Sequence, residues 1–206
     1  MVWMSPSFPK ASSCKPAAGD VKTIGVLALQ GDFDAHCKAV ERAGGRPLEV
    51  RTAKELDACD GLIVPGGEST TMLKLLDIEN LTEPLREFAA HKPVFGTCAG
   101  AILLAHSVTS PAQPSLDLID IDVQRNAYGR QIDSRITRVQ TGADEMEAVF
   151  IRAPKILRVG SGGKVLATYD GDPVWVEQGR HMVTTFHPEL TSDSRVHQRF
   201  LENVTS

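Results

Sequence analysis

The segment PVFGTCAGAILLA, residues 93–105, joins a short apolar run to an apolar, helix-compatible run through a turn that carries two glycines. This order of strand, sharp turn and helix is the geometry of a nucleophile elbow, written G-x-C-x-G with cysteine where serine is usual. The flanking glycines are needed because a side chain would collide with backbone in so tight a turn. Cys98 would lie at a helix N-terminus, which favours the thiolate. Taken alone, the segment fits a small buried cysteine at a β–α junction equally well.

Before this segment, apolar runs alternate with helix-compatible stretches. The apolar runs cover residues 23–29, 47–51 and 61–64. The helix-compatible stretches cover residues 33–43, 53–58, 70–76 and 83–90. Such an alternation predicts a parallel α/β sheet with helices on both faces.

After the cysteine segment, the pattern changes to closely spaced strand-like runs. These runs cover residues 116–123, 132–139, 148–151, 156–159, 164–169, 174–177 and 182–186. Two turn-rich segments, 160–163 and 170–172, predict hairpins, so this half of the sheet is expected to be partly antiparallel. A final helix is expected from about residue 193, with Val196, Phe200 and Val204 on its buried face.

Length and composition predict one globular domain, because the chain has 206 residues, of which 42% are hydrophobic and 23% charged. We expect the domain at residues 21–206, after a flexible tail at 1–20 that lacks the apolar core of a signal peptide. A net charge of -4 argues against nucleic-acid binding, and no apolar run is long enough for a membrane span. The four cysteines form no CxxC pair, and we expect reduced thiols in the cytoplasm.

A cysteine nucleophile needs a base, and the segment HPE at residues 187–189 supplies a candidate. Side chains two residues apart in an extended segment point the same way, so Glu189 can reach one imidazole nitrogen of His187. The other nitrogen is then free to face Cys98. In isolation, a surface turn is the better explanation of the segment. However, both motifs follow apolar runs, and open α/β sheets bind ligands at the carboxyl ends of their strands.

The segment PGGESTT, residues 65–71, also follows an apolar run. Its glycines let the backbone approach a ligand with exposed N–H groups, and Ser69 or Thr70 can cap a following helix. It is not a P-loop, because no lysine follows the glycines at the required spacing. We therefore expect it to form an oxyanion hole beside Cys98, with a plain strand-to-helix turn as the alternative.

In this order, the motifs resemble those of the class I (triad) glutamine amidotransferases, and within that family the glutaminase subunits of pyridoxal 5'-phosphate synthases. The resemblance runs from residue 22 to about residue 204. The matching strings are LALQGDFDAH (27–36), VPGGESTTM (64–72), PLREFAAHKPVFGTCAG (84–100), QRNAYGRQIDS (124–134), VFIRAP (149–154) and FHPELT (186–191).

The resemblance implies a flavodoxin-like three-layer α/β fold and the hydrolysis of L-glutamine to L-glutamate and ammonia. It also implies that the ammonia passes to a barrel-type synthase subunit, which builds pyridoxal 5'-phosphate from a pentose phosphate and a triose phosphate. That partner is thought to complete the oxyanion hole. No cofactor is expected.

The same resemblance assigns roles to individual residues. Cys98 becomes the nucleophile, His187 the acid and base, and Glu189 the carboxylate that orients the imidazole. The backbones of Gly67 and Ala99 become the oxyanion donors. The residues that match those holding the glutamine are Gly67, Glu68, Ser69, Arg125, Ile151 and Arg152.

Three other functions stay open on the sequence alone. One is a different triad amidotransferase, such as the glutaminase of imidazole glycerol phosphate synthase. Another is a cysteine peptidase or a related hydrolase on a similar sheet. The third is a non-catalytic redox sensor in which Cys98 is an oxidisable thiol. The remaining histidines share no ligand spacing, so no metal site is expected, and His36 is interpreted as structural or partner-facing.

Overall fold

The computed structural model describes residues 21–125, 135–142 and 144–205. The expected tail and residues 126–134, which carry most of the string QRNAYGRQIDS, lie outside the described residues. The helices are α1 (Phe33–Ala43), α2 (Ala53–Asp57), α3 (Ser69–Ile78), α4 (Thr82–His91), α5 (Ala99–Leu104) and α6 (Arg195–Thr205). The strands are β1 (Thr23–Leu27), β2 (Arg46–Val50), β3 (Gly61–Val64), β4 (Val94–Thr97), β5 (Ala105–Thr109), β6 (Ile119–Gln124), β7 (Arg135–Thr141), β8 (Asp144–Phe150), β9 (Lys155–Val159), β10 (Lys164–Tyr169), β11 (Asp172–Gln178) and β12 (His181–Thr184).

Nine of the described strands form one sheet in the order β2-β1-β3-β4-β12-β11-β10-β7-β8. The first five run parallel to their neighbours, and this half has the strand order of flavodoxin-like sheets. The other four strands add antiparallel. The strands β5, β6 and β9 form a separate small sheet. The predicted mixed α/β architecture is confirmed.

Apolar side chains cover both faces of the large sheet. On β3, Leu62 and Val64 join a cluster with α2, α3, α4, α5 and the small sheet, whereas Ile63 joins a cluster with α1 and α6. All three side chains are fully buried, because successive side chains of a strand point to opposite faces. Burying each of them stabilises the fold by about 1.5–3 kcal/mol. No helix in the described part of the chain has the length and hydropathy needed to cross a membrane.

The two predicted hairpin turns have different outcomes. Asp170 and Gly171 have φ angles of 49° and 84°, and they join the paired strands β10 and β11 as a tight hairpin. The hairpin predicted at 160–163 is wrong, although Gly163 does donate a turn hydrogen bond to Gly160. There β9 pairs with β6, whereas β10 pairs with β11 and β7. Turn residues reverse the chain, but long-range packing selects the strand that each neighbour joins.

The sequence also missed one strand. We expected the helix after Cys98 to run to residue 105, but α5 ends at Leu104 and β5 begins at Ala105. The segment AHSVT is short and mostly polar, so its own periodicity gives a weak signal. It becomes a strand because it pairs in parallel with β6.

Candidate active site

Cys98 occupies a strained elbow between β4 and α5. Its φ and ψ angles are 48° and -103°, a conformation that costs a non-glycine residue about 1–3 kcal/mol. Its backbone N–H donates to the carbonyl oxygen of Thr184, at 2.8 Å, which fixes the elbow to the end of β12. A Cβ on Gly96 would collide with the backbone of Gly100, and one on Gly100 would collide with the carbonyl of Val64. Both glycines are therefore required by close packing.

His187 lies three residues beyond the end of β12, the strand that pairs with β4. Its Nδ1 is 2.7 Å from Oε1 of Glu189, and both side chains are buried. The sequence predicted an extended segment here, and that prediction is wrong. Pro188 instead begins a one-turn 3₁₀ helix, Pro188–Leu190. The carboxylate reaches back to the imidazole across that turn. Burial raises the pKa of Glu189, but the electrostatic influence of the neighbouring His36 ring and the hydrogen bond to His187 outweigh burial and lower it.

The imidazole of His187 also interacts with Cys98. Burial lowers the pKa of His187, but hydrogen bonds to Cys98 and Glu189 outweigh burial, so the pKa is raised overall. At neutral pH the ring therefore favours the imidazolium form, which stabilises negative charge on a neighbouring sulfur. The sulfur lies 3.8 Å from the carbonyl oxygen of Ile151, just beyond the end of β8.

A cleft of about 250 Å³ opens at the sulfur of Cys98. Every candidate residue from the sequence lines it except Glu189, which lies behind the imidazole. These lining candidates are Gly67, Glu68, Ser69, Cys98, Ala99, Arg125, Ile151, Arg152 and His187. The cleft forms where β3, β4 and β12 end, as expected for an open α/β sheet.

Glu68 is held firmly at the rim of this cleft. Its carboxylate accepts hydrogen bonds from the backbone N–H groups of Thr70 and Thr71 and from both of their hydroxyl groups. The hydroxyl hydrogen bonds are the largest cause of a pKa lowered to about 2. Arg125 donates to the same carboxylate at 3.5 Å. Glu68 is thus the N-cap of α3, and the cap predicted at Ser69 or Thr70 is wrong because the Glu68 side chain reaches both N–H groups.

The rest of the PGGESTT loop is held by side-chain amides. Gln30 donates from Nε2 to the carbonyl oxygen of Glu68, at 2.9 Å. Gly67 has a φ of 145°, and a Cβ there would collide with Gln30. Ser69 is buried and donates its hydroxyl to Oε1 of Gln113, at 2.9 Å. The loop is therefore fixed beside the sulfur by contacts to segments far away in the chain.

Sequence reasoning missed three buried polar residues behind Glu189. Nε2 of His36 lies 3.3 Å from Oε2 of Glu189 and 3.1 Å from Oγ1 of Thr97. Nδ1 of His36 lies 3.2 Å from Nε2 of His197. His36 is 0% exposed, so its partner-facing interpretation is wrong. The string LALQGDFDAH contained the only signal, since His36 ends it.

Among the described residues, no group of three or more His, Cys, Asp or Glu side chains is arranged to hold a metal ion. The described cysteines, Cys37, Cys59 and Cys98, form no disulfide. Burial raises the pKa of both Cys37 and Cys59 to about 11, so these two thiols stay protonated at neutral pH. Of the described cysteines, only Cys98 lines the cleft.

Known proteins are similar to this chain over most of its length. The chain is 58% identical to the pyridoxal 5'-phosphate synthase subunit PdxT of Solibacter usitatus, over 89% of this chain and 100% of that protein. It is 55% identical to the PdxT subunit of Koribacter versatilis, over 88% of this chain and 95% of that protein. A crystal structure described as a glutamine amidotransferase superimposes with a TM-score of 0.83 at 44% identity, covering 89% of this chain and 99% of that one.

More distant structures share only the fold. A chain in the structure of PurLQS from Thermotoga maritima superimposes with a TM-score of 0.65 at 15% identity, over 90% of this chain and 95% of that one.

The model of the SNO glutamine amidotransferase family matches residues 26–206, which include the cysteine elbow, the PGGESTT loop and the HPE segment. Because this match spans most of the chain and the relatives are similar over nearly their whole length, the chain belongs to the SNO glutamine amidotransferase family.

Proposed function

We infer that this chain is the glutaminase subunit of a pyridoxal 5'-phosphate synthase. It hydrolyses L-glutamine to L-glutamate and ammonia, and the ammonia is used to make pyridoxal 5'-phosphate. One observation carries this function: Cys98 and His187 line a cleft, with Glu189 behind the imidazole, in a chain that is 58% identical to a PdxT subunit.

In the proposed reaction, the Cys98 thiolate attacks the side-chain amide carbon of glutamine. The C=O π bond becomes a lone pair on oxygen, and the backbone N–H groups of Gly67 and Ala99 stabilise this oxyanion, each worth ~3 kcal/mol of barrier. The His187 imidazolium protonates the amide nitrogen, the C–N bond breaks, and ammonia leaves a γ-glutamyl thioester. His187, now neutral, removes a proton from water, which attacks the thioester. Glutamate leaves, and the sulfur returns to its thiolate form.

The charged ends of glutamine fit the polar side chains of the cleft. Its α-ammonium group suits the carboxylate of Glu68, which is ionised and half-exposed at the rim. Its α-carboxylate suits the guanidinium groups of Arg125 and Arg152, which also line the cleft. Ser69 and Ile151 then line the path of the aliphatic side chain to Cys98. These contacts would favour an amino acid over a peptide-linked glutamine.

The ammonia acceptor in this proposal is a barrel-type synthase subunit that binds the chain. Gly67 lies in a loop held by Gln30 and the α3 cap, so a partner that contacts this loop can adjust the oxyanion donors. We therefore expect the isolated chain to be a poor glutaminase and the complex an active one. The proposed compartment is the cytoplasm, which suits the unpaired cysteines.

The test is glutamate release from L-glutamine, with and without the synthase subunit from the same organism. We expect turnover that rises at least tenfold with the synthase and disappears in Cys98→Ala. The matched control is Cys59→Ala, which removes a buried thiol whose pKa is raised and which lies away from the cleft. Turnover in Cys98→Ala at the wild-type rate would remove the proposed nucleophile. Cleavage of peptides with no reaction of glutamine would indicate a peptidase instead.

A further inference from the structure

A buried chain of polar groups continues beyond Glu189, on the side away from Cys98. Glu189 places Oε1 against His187 and Oε2 against His36, at 2.7 Å and 3.3 Å. His36 belongs to α1 and His197 to α6, and α1 packs against both α6 and the 3₁₀ turn of Glu189. His36, Thr97 and His197 are each no more than 1% exposed. Three distant segments of the chain therefore bury polar groups at one point.

Both histidines of this cluster are neutral at neutral pH. Burial is the main cause of a lowered pKa for His36, and it lowers the pKa of His197 to about 3. A neutral imidazole carries one N–H and one acceptor nitrogen. The positions of the two hydrogens then depend on the neighbours of each nitrogen.

The Glu189 carboxylate determines these positions. A carboxylate oxygen only accepts hydrogen bonds, so the nitrogen of His36 that faces it, Nε2, carries the hydrogen. Nε2 of His36 makes its hydrogen bond with Thr97 Oγ1, at 3.1 Å. Oε2 of Glu189 has no hydrogen-bond partner among the described residues and lies 3.3 Å from the same nitrogen as a close electrostatic contact. Nδ1 of His36 must then accept from Nε2–H of His197. Nδ1 of His197 has no hydrogen-bond partner among the described residues. Because the hydrogen of this ring lies on Nε2, Nδ1 carries none and leaves no donor unsatisfied.

We propose that His36 is a positioning residue for the glutaminase reaction: the polar Nε2–H group, 3.3 Å from Oε2 of the buried Glu189, stabilises that carboxylate so that Glu189 keeps His187 aligned with Cys98. This inference rests on the proposed function for its kinetic test. His36 is not among the residues that line the cleft, and its side chain contacts Glu189, Thr97 and His197, so it would act on the reaction through Glu189. His197 supports it by fixing the tautomer.

The kinetic test uses the complex with the synthase subunit. His36→Phe keeps a ring of similar shape without the N–H, and we expect kcat to fall about tenfold or more, because the buried carboxylate loses the polar group that lies 3.3 Å from Oε2. The KM for glutamine should stay within about twofold, because the cleft lining is unchanged. His36→Gln places an N–H at about the position of Nε2, and its kcat should be at least threefold higher than that of His36→Phe. A kcat of His36→Gln no higher than that of His36→Phe would overturn the proposal. A wild-type kcat in His36→Phe would overturn it as well.

His181→Phe is the matched control for the loss of a histidine. His181 begins β12, at the end of the strand opposite His187, and accepts a hydrogen bond from the backbone of Val94. We expect its kcat to stay within twofold of wild type. An equal loss of kcat in His181→Phe and His36→Phe would indicate a general packing effect and overturn the proposal.

A second measurement needs no substitution and no turnover. In the wild-type chain labelled with ¹⁵N-histidine, NMR distinguishes the two tautomers of each ring. The proposal predicts the Nε2–H tautomer for both His36 and His197 at neutral pH. An Nδ1–H tautomer at His36 would overturn it. If the wild type shows no Cys98-dependent turnover, the proposed function fails, while the tautomers still decide whether the Nε2–H of His36 faces Glu189.

Discussion

Cys98 donates its backbone N–H to the carbonyl oxygen of Thr184, across the pair of strands β4 and β12. His187 follows Thr184 by three residues, so neighbouring strands of one sheet position both the nucleophile and the candidate base. A sheet interior holds such groups more rigidly than surface loops do. The geometry of the proposed reaction thus depends on the parallel core of the fold.

Replacing Glu189 by glutamine tests the role of the buried carboxylate. Glu189→Gln keeps the shape of the side chain but removes the charge that stabilises the imidazolium of His187. We expect kcat to fall about 100-fold or more, by analogy with loss of the carboxylate charge in other triads. Glutamate release in the complex with the synthase subunit measures it. A loss of less than threefold would mean that the carboxylate does not orient the base.

Adding one methyl group at Gly66 tests the placement of His187. A Cβ at this position would overlap the imidazole ring, so Gly66→Ala should push the ring away from Cys98. A displacement of about 1 Å can cost about 100-fold in rate, and we expect a loss of at least tenfold in kcat. The control is Gly162→Ala, where a Cβ meets only the end of the flexible Gln178 side chain. Unchanged kcat in Gly66→Ala would show that the ring tolerates movement.

Thiol alkylation tests the chemical difference between the cysteines. At neutral pH, iodoacetamide should label Cys98 much faster than Cys37 or Cys59, because burial raises the pKa of those two thiols to about 11. Cys98 faces the cleft beside the His187 imidazolium. Peptide mapping by mass spectrometry measures each rate, and glutamine should slow only the labelling of Cys98. Equal rates at Cys37 and Cys98 would contradict an activated nucleophile.

Acid titration of stability tests the cap on α3. The pKa of Glu68 is about 2 when folded, below its ordinary value of 4.5, so its ionised form stabilises the fold. This stabilisation is complete above pH 4.5 and is lost as the pH falls towards 2. Glu68→Gln should lower the free energy of unfolding by about 1 kcal/mol at pH 7, and the difference should shrink towards pH 2. Urea unfolding measures it, with Glu87→Gln on the exposed surface of α4 as the control. A cost that is independent of pH would contradict the cap.

Local sequence patterns predicted most of the helices and strands. The buried strand β3 was predicted at its observed bounds because its four residues, GLIV, are all apolar and Asp60 and Pro65 flank them. The strand β5 and the false hairpin at 160–163 show the limit of this reasoning. Each depends on a pairing partner far away in the chain, which no local pattern contains.

The candidate site likewise has one part that the sequence predicted and one part that it did not. Most of the residues proposed around the cleft came from the resemblance of the motifs to a known family, and in the structure these residues line one cleft. The sequence did not predict the cluster of His36, Thr97 and His197 behind Glu189, because His36 and His197 are 161 residues apart. Only the packing of α1 on α6 makes them neighbours, and the string that ends at His36 gives no sign of that packing.

Trapping the acyl-enzyme with hydroxylamine tests the central claim, a γ-glutamyl thioester on Cys98, most directly. In the complex with the synthase subunit, hydroxylamine should compete with water and yield γ-glutamyl hydroxamate together with glutamate. Both products should vanish in Cys98→Ala and persist in Cys59→Ala. Glutamate release that continues in Cys98→Ala, or proceeds in wild type without any hydroxamate at saturating hydroxylamine, would contradict the account.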